Sequence, residues 1–176
     1  MLTALLITAL LSQIPTPDRP SPAALHPPAS FKLTVYVFTT TDCPISNRYA
    51  PEVQRLAAKF NLEASFVLVY PVPSDSEAMI REHLKKYGYS LRSVRDVDQT
   101  LAKKTGVTVM PEVAVMQGDT LLYRGRIDDR YIDFGKDRPA PTQRDLEAAL
   151  TAAIAGKPVA VKQTQAIGCI LSDFVK

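Results

Sequence analysis

From residue 31 onwards the chain alternates between short, nearly continuous apolar runs and stretches whose apolar positions recur every three or four residues. The first kind predicts buried strands, the second amphipathic helices. Residues 31–38, rich in β-branched and aromatic side chains, predict a strand. Residues 47–61 predict a helix with Val53, Leu56, Ala57 and Phe60 on one face. Pro51 falls early in it, where a missing N–H costs little. Residues 64–70 predict a second buried strand, followed by a proline-rich turn. Residues 76–87 predict a helix with Ala78, Met79 and His83 at helical spacing and Gly88 as its stop. Residues 97–105 predict a short helix ending at Gly106. Residues 113–116 and 120–123 flank Gln117-Gly118-Asp119, a hairpin signal. Residues 142–155 predict an amphipathic helix, with Thr142 as its cap and Asp145 three residues on as a capping-box acid. The order β-α-β-α-α-β-β-α predicts an α/β domain, a central mixed sheet covered by helices on both faces.

Composition narrows the function classes. The 176 residues suffice for one domain with its own core. A net charge of +3, with acidic residues interleaved among basic ones, argues against nucleic acid as a partner. No C-x-x-C, histidine cluster or P-loop pattern occurs.

Residues 1–13 carry an uncharged apolar run, too short to span a bilayer but suited to a signal sequence. No Lys or Arg precedes the run, and no small-x-small cleavage site follows it. A partly buried or disordered arm is the other reading. Residues 14–30 hold six of the chain's 14 prolines and read as an extended linker. The domain then covers 31–158, and 159–176 form a C-terminal arm. Export to the periplasm or another extracytoplasmic space is the favoured expectation, with a membrane tether only through an uncleaved N-terminus. A disulfide persists in such a compartment.

The chemistry concentrates at Cys43, which follows the first strand and a polar turn and precedes a helix. A thiol there faces helix N–H groups and the positive end of the helix dipole, which favour the thiolate, the nucleophilic and metal-binding form. Arg48 is placed to add to this effect or to lie exposed. Asn47 and Ser46 are candidate caps of the helix.

The strand-turn-Cys43-helix unit, the run Gly106-Val107-Thr108-Val109-Met110-Pro111 leading into the next strand, and the extra segment 74–98 together resemble the thioredoxin-like superfamily. More narrowly they resemble its redoxin branch of peroxiredoxins and extracytoplasmic thiol-disulfide proteins. The resemblance covers about residues 31–154. It implies a thioredoxin-like fold with a redoxin-type insertion and a cis Met110–Pro111 bond facing Cys43. It also implies catalytic roles for Cys43, Thr40 and Pro111, and substrate contacts from Met110, Pro44 and Arg48. Two departures stand out. Ser46 occupies the place of the second cysteine of C-x-x-C, and Tyr36 the place of a proline expected in peroxiredoxins.

Cys169 is the second of two cysteines. Three arrangements are open for it. It resolves an intermediate on Cys43, as in two-cysteine peroxiredoxins; it forms a permanent disulfide, worth about 4–5 kcal/mol for so long a loop in the chain-entropy account; or the two sulfurs share a metal. The leading functional reading is an exported thiol-disulfide oxidoreductase or thiol peroxidase. It would need no cofactor and would act on protein thiols and disulfides or on peroxide. One alternative is a Cu(I)-binding or copper-delivery protein with Cys43, Cys169 and Met110 as soft ligands. The C-x-x-x-C of the Sco copper proteins is absent, since Asn47 holds the second place. Another alternative is a non-catalytic interaction domain held by the disulfide. Arg126, Asp128, Asp129 and Arg130 read as a solvated turn whose ion pairs are worth little, or as a charged rim that holds the arm or a partner near Cys43. His83, on a helix beside apolar positions, reads as structural.

Overall fold

Strands covered on both faces need apolar side chains at every position, and β1 (Leu33–Phe38) is buried along its whole length. The computed structural model describes residues 32–174; segments 1–13 and 14–30 lie outside the described residues. After β1 come α1 (Pro44–Arg48), α2 (Ala50–Lys59), β2 (Ala64–Tyr70), α3 (Glu77–Lys86), β3 (Arg92–Arg95) and α4 (Thr100–Thr105). Then follow β4 (Val109–Met110), β5 (Glu112–Gln117), β6 (Thr120–Gly125), β7 (Tyr131–Asp133), β8 (Lys136–Asp137), α5 (Asp145–Ile154) and β9 (Cys169–Ile170). A 3-10 turn, Leu171–Phe174, ends the described chain.

The central sheet has five strands in the order β3-β2-β1-β5-β6. β2 runs parallel to β1 and β3, whereas β5 runs antiparallel to β1 and β6. On one face Val35, Val37, Leu68 and Val113 pack with Val53 and Leu56 of α2, Ile80 of α3 and Leu146 and Leu150 of α5. On the other face Tyr36, Phe38, Val67 and Val69 pack with Leu101 and Ala102 of α4 and with Leu171. The expected mixed sheet with helices on both faces is present.

Several elements differ from their sequence-based bounds, each for a local reason. The helix expected over 47–61 starts at Pro44 and breaks at Tyr49. Pro51 has no N–H to give the carbonyl of Asn47, and its ring crowds that carbonyl. β3 was not expected: it reads Arg-Ser-Val-Arg, with only Val94 buried. α4 begins at Thr100 rather than 97, because buried Asp96 accepts the N–H groups of Leu101 (3.1 Å) and Ala102 (2.9 Å) and fixes the first turn there. The inner face of α3 is Ile80 and His83; Met79 is exposed. α5 begins at Asp145, not Thr142. Asp129 takes the Thr142 hydroxyl and both the Thr142 and Gln143 N–H groups, and Asp145 pairs with Arg126 instead of capping.

Two features bring the chemistry to one end of the sheet. Phe38 pairs with Glu112, so the chain leaving β1 and the chain arriving at β5 meet at the same edge. The C-terminal segment leaves α5, runs beside β6, and crosses to β4. Arg124 N–H donates to Lys162 O (3.0 Å), and Thr164 N–H returns to Arg124 O (3.1 Å). The run passes so close to β6 that a Cβ at Gly125 would overlap the Thr164 hydroxyl. β9 then pairs antiparallel with β4, Met110 opposite Cys169 and Val109 opposite Ile170.

Candidate active site

Cys43 is itself the residue that starts α1: extended in backbone, it gives its carbonyl to Asn47 N–H at 3.0 Å. Pro44 at the first helical position is preorganised for that turn and has no N–H to satisfy. Ser46 and Asn47 are therefore not caps. Ser46 Oγ is buried without a hydrogen-bond partner. Asn47 turns back instead, its amide N–H donating to Thr41 O at 3.1 Å while its Oδ1 meets His83 Nε2 at 2.7 Å. That orientation makes Nε2 the protonated nitrogen of His83, leaving Nδ1 to accept from the Tyr70 hydroxyl at 2.8 Å. Burial pulls His83 below the ordinary histidine value, against the pull of Asp75. Asp75 accepts the Thr41 hydroxyl at 2.6 Å. The loop before Cys43 is thus held from α3 and from the turn after β2.

The Cys43 side chain is 1% exposed. Its Sγ donates to Met110 O at 3.3 Å and lies 2.7 Å from Cys169 Sγ. The Met110–Pro111 bond is cis. Glu112 supports the turn from behind: one carboxylate oxygen accepts Thr108 N–H (2.9 Å) and Val109 N–H (3.4 Å), and Arg124 lies 3.6 Å from the other. Burial raises the Glu112 carboxyl, while those N–H groups and Arg124 lower it. Arg124 also donates to Gly106 O. The cis-proline turn and the strand that carries the C-terminal segment are thereby tied to each other.

The family model described as thioredoxin-like matches residues 30–120, more than half of the chain. The chain belongs to the thioredoxin-like family. No curated protein matches this thioredoxin-like chain. Among solved structures it is similar to an uncharacterized conserved protein from Geobacillus kaustophilus, at 28% identity and a TM-score of 0.69 over 80% of this chain and 76% of that one. A hypothetical protein from Sinorhizobium meliloti 1021 is similar at 25% identity and a TM-score of 0.69, over 81% and 80%. MTB dsbF, solved in mixed oxidized and reduced forms, shares the fold at 23% identity and a TM-score of 0.51, over 70% and 81%.

The remaining sequence-predicted residues fall at different distances from the sulfurs. Thr40 is buried between β1 and Cys43, and Pro111 is buried in the cis turn. Pro44 is exposed beside Cys43. Met110 brings its carbonyl to Cys43, whereas its side chain packs with Phe38, Val69 and Leu171. Its thioether therefore does not join the two thiols as the copper reading requires. Among the described residues no group of three His, Cys, Asp or Glu side chains is placed to hold a metal ion. Arg48 pairs with Asp137 at 3.2 Å and lies over the Tyr131 ring.

The 126–130 segment is not a solvated turn, and its Arg126 N–H holds the C-terminal arm by donating to the Thr164 hydroxyl at 3.0 Å. Asp128 and Asp129 are 2% and 5% exposed. Asp128 accepts the Tyr49 hydroxyl at 2.6 Å, joining this loop to the α1–α2 junction. Burial alone would raise the Asp129 carboxyl, but the Thr142 and Gln143 donors and Arg138 hold it down at about 2. Sequence reasoning missed Glu112, although a lone acid inside an apolar run after a proline was a usable signal. It also missed the Asn47–His83 pair, whose members sit on different helices and share no local pattern.

Proposed function

We propose that the chain is a thiol-disulfide oxidoreductase that uses Cys43 as nucleophile and Cys169 as resolving cysteine. The observation that carries this reading is the 2.7 Å approach of the two sulfurs beside the cis-proline turn. Cys43, as thiolate, attacks one sulfur of a partner disulfide. A Cys43–partner S–S bond forms, and the other partner sulfur leaves as thiolate. Cys169 thiolate then attacks Cys43 Sγ, closing the Cys43–Cys169 disulfide and releasing the second partner thiolate. The partner gains two electrons and two protons, and the cysteine pair loses both. Peroxide is a second oxidant class for the same thiolate, giving a sulfenic acid that Cys169 would condense with. The N-terminal apolar run supports an extracytoplasmic setting. Among the described residues no helix is long and apolar enough to cross a membrane. That dsbF exists in oxidized and reduced forms supports the redox reading by likeness of fold.

Two measurements test it. The Cys169→Ser protein should accumulate a mixed disulfide on Cys43, seen by mass spectrometry, when given a protein disulfide. The Cys43–Cys169 couple should have a reduction potential in the range of oxidoreductases. A potential below about −300 mV would make the bond structural and leave an interaction domain. Two thiols that stay reduced in air but are shielded from alkylation by Cu(I) would favour the metal reading.

A further inference from the structure

We propose that Arg124 and Glu112 are a positioning pair for the resolving step. They fix the span between the place where the C-terminal segment is fastened and the strand on which Cys169 meets Cys43. This inference rests on the oxidoreductase reading and adds two residues to the same reaction.

The register of the sheet creates the pair. Phe38 lies opposite Glu112, and Ala114 lies opposite Tyr36 on one side and Arg124 on the other. Residues opposite one another, or two apart along a strand, share a face. Glu112 and Arg124 therefore stand diagonally on the face where Phe38, Tyr36 and Ala114 pack, within reach of a long side chain. Arg124 Nε lies 3.6 Å from one Glu112 oxygen, and Glu112 is 4% exposed. Burying a carboxylate is costly unless its charge and lone pairs are met. Arg124 meets the charge, and the N–H groups of Thr108 and Val109 meet the other oxygen. A buried pair of this kind adds little stability over packed apolar side chains. What a planar guanidinium and a carboxylate do fix is direction.

The pair stands between the two ends of the segment that carries Cys169. At one end is the strand on which that cysteine comes to rest. Glu112 holds its residues 108 and 109, while Thr108 O takes Leu171 N–H and Met110 lies opposite Cys169. Arg124 also grips the start of this stretch by donating to Gly106 O. Gly106 is in the left-handed region at φ 72°, and a Cβ there would overlap the guanidinium. At the other end is the fastening. The backbone of Arg124 donates to Lys162 O and accepts Thr164 N–H, and Tyr123 and Arg126 N–H bind the Thr164 hydroxyl. One residue thus grips the receiving strand with its side chain and the segment with its backbone. Without the pair, residues 108–110 shift relative to β6 and Cys169 arrives misplaced. A displacement of about 1 Å can slow such a step about a hundredfold. The attack of Cys43 on a partner does not use this span. Neither residue enters the exchange itself: Cys169 thiolate still attacks Cys43 Sγ, and the partner still leaves as thiolate.

The test uses the full reduced chain with DTNB as the partner disulfide. Formation of the mixed disulfide releases one thionitrobenzoate at a rate that scales with DTNB. Closure of the Cys43–Cys169 bond releases a second at a rate that does not. The chain with Cys169→Ser reports the attack of Cys43 alone. Arg124→Met and Glu112→Gln are each made in both backgrounds. Each should slow the second release at least about tenfold and change the Cys43 attack by less than about threefold. The double variant, which leaves no buried charge unpaired, should be no slower than the slower single one, because partners that act as a unit are not additive. Equal slowing of both releases would mean a merely structural role and overturn the proposal. So would an unchanged second release, or a double variant slowed by the product of the two single effects. In each of these cases a native chain that gives both releases, with the disulfide confirmed by mass, leaves the oxidoreductase standing. A native chain in which closure never occurs would overturn both. If Arg124→Met does not fold, Glu112→Gln and the double variant decide.

Discussion

At the scale of single residues, Cys43 depends on partners that never touch its sulfur. His83 is the clearest. It links Tyr70 in the sheet to Asn47, and Asn47 holds the Thr41 carbonyl of the loop before Cys43. Burial keeps its folded-state titration below the ordinary value of 6.5, so the unfolded chain binds a proton that the folded chain resists. Its contribution to stability is therefore fully present above about pH 6.5 and is lost as the pH falls toward the lower folded value. The urea midpoint of the native protein should drop further between pH 8 and pH 5 than that of His83→Gln. Equal drops would show that His83 has no such part. Cys43 and Pro111 were legible because each stands at a junction that local pattern marks: strand to helix, and loop to strand. His83 was legible only as a core histidine. Its role depends on a helix packing that brings residue 83 to residue 47, and no spacing along the chain encodes that.

At the scale of elements, α5 shows where local rules give way. Thr142 and Asp145 look like a capping box, yet Asp129, from a loop after β6, takes the donors that a cap would satisfy. The buried carboxylate accepts the Thr142 hydroxyl itself along with the two N–H groups, so that hydroxyl is held away from capping the helix. Asp129→Ala removes three hydrogen bonds to a carboxylate from Thr142 and Gln143, which are themselves exposed, and should cost about 2 kcal/mol, read as a fall in unfolding free energy from urea titration. A loss under about 1 kcal/mol would mean that water replaces the carboxylate. The long strands were readable since burial on both faces leaves apolar runs. β3, β4, β7, β8 and β9 were not, for they are two to four residues long and carry too few positions to show a period. The α1–α2 break was hidden in plain view, because Pro51 is tolerated early in a helix and destructive to one already begun.

At the scale of the whole molecule, the C-terminal segment belongs to two places at once. It borders the central sheet at β6 and completes a separate two-stranded sheet at β4. Hydrogen exchange should separate them. In the oxidised protein the Leu171 amide should be protected, whereas under reductant it should exchange at least about tenfold faster, with the Thr164 amide little changed. Uniform loosening of both amides would mean that the segment detaches as one piece. The fastening at Thr164 carries a kinetic consequence as well. With Thr164 fastened to β6, a Cys169 released from β4 would be tethered by residues 165–168 and would explore a volume a few residues across. Its local concentration at Cys43 is on the order of millimolar or higher and does not depend on how much protein is present. Resolution in the proposed exchange would then be a first-order event. In the proposed exchange, dilution would slow the encounter with a partner but leave untouched the rate at which the partner is let go, so the lifetime of the mixed disulfide would be set by the short tether between Thr164 and Cys169.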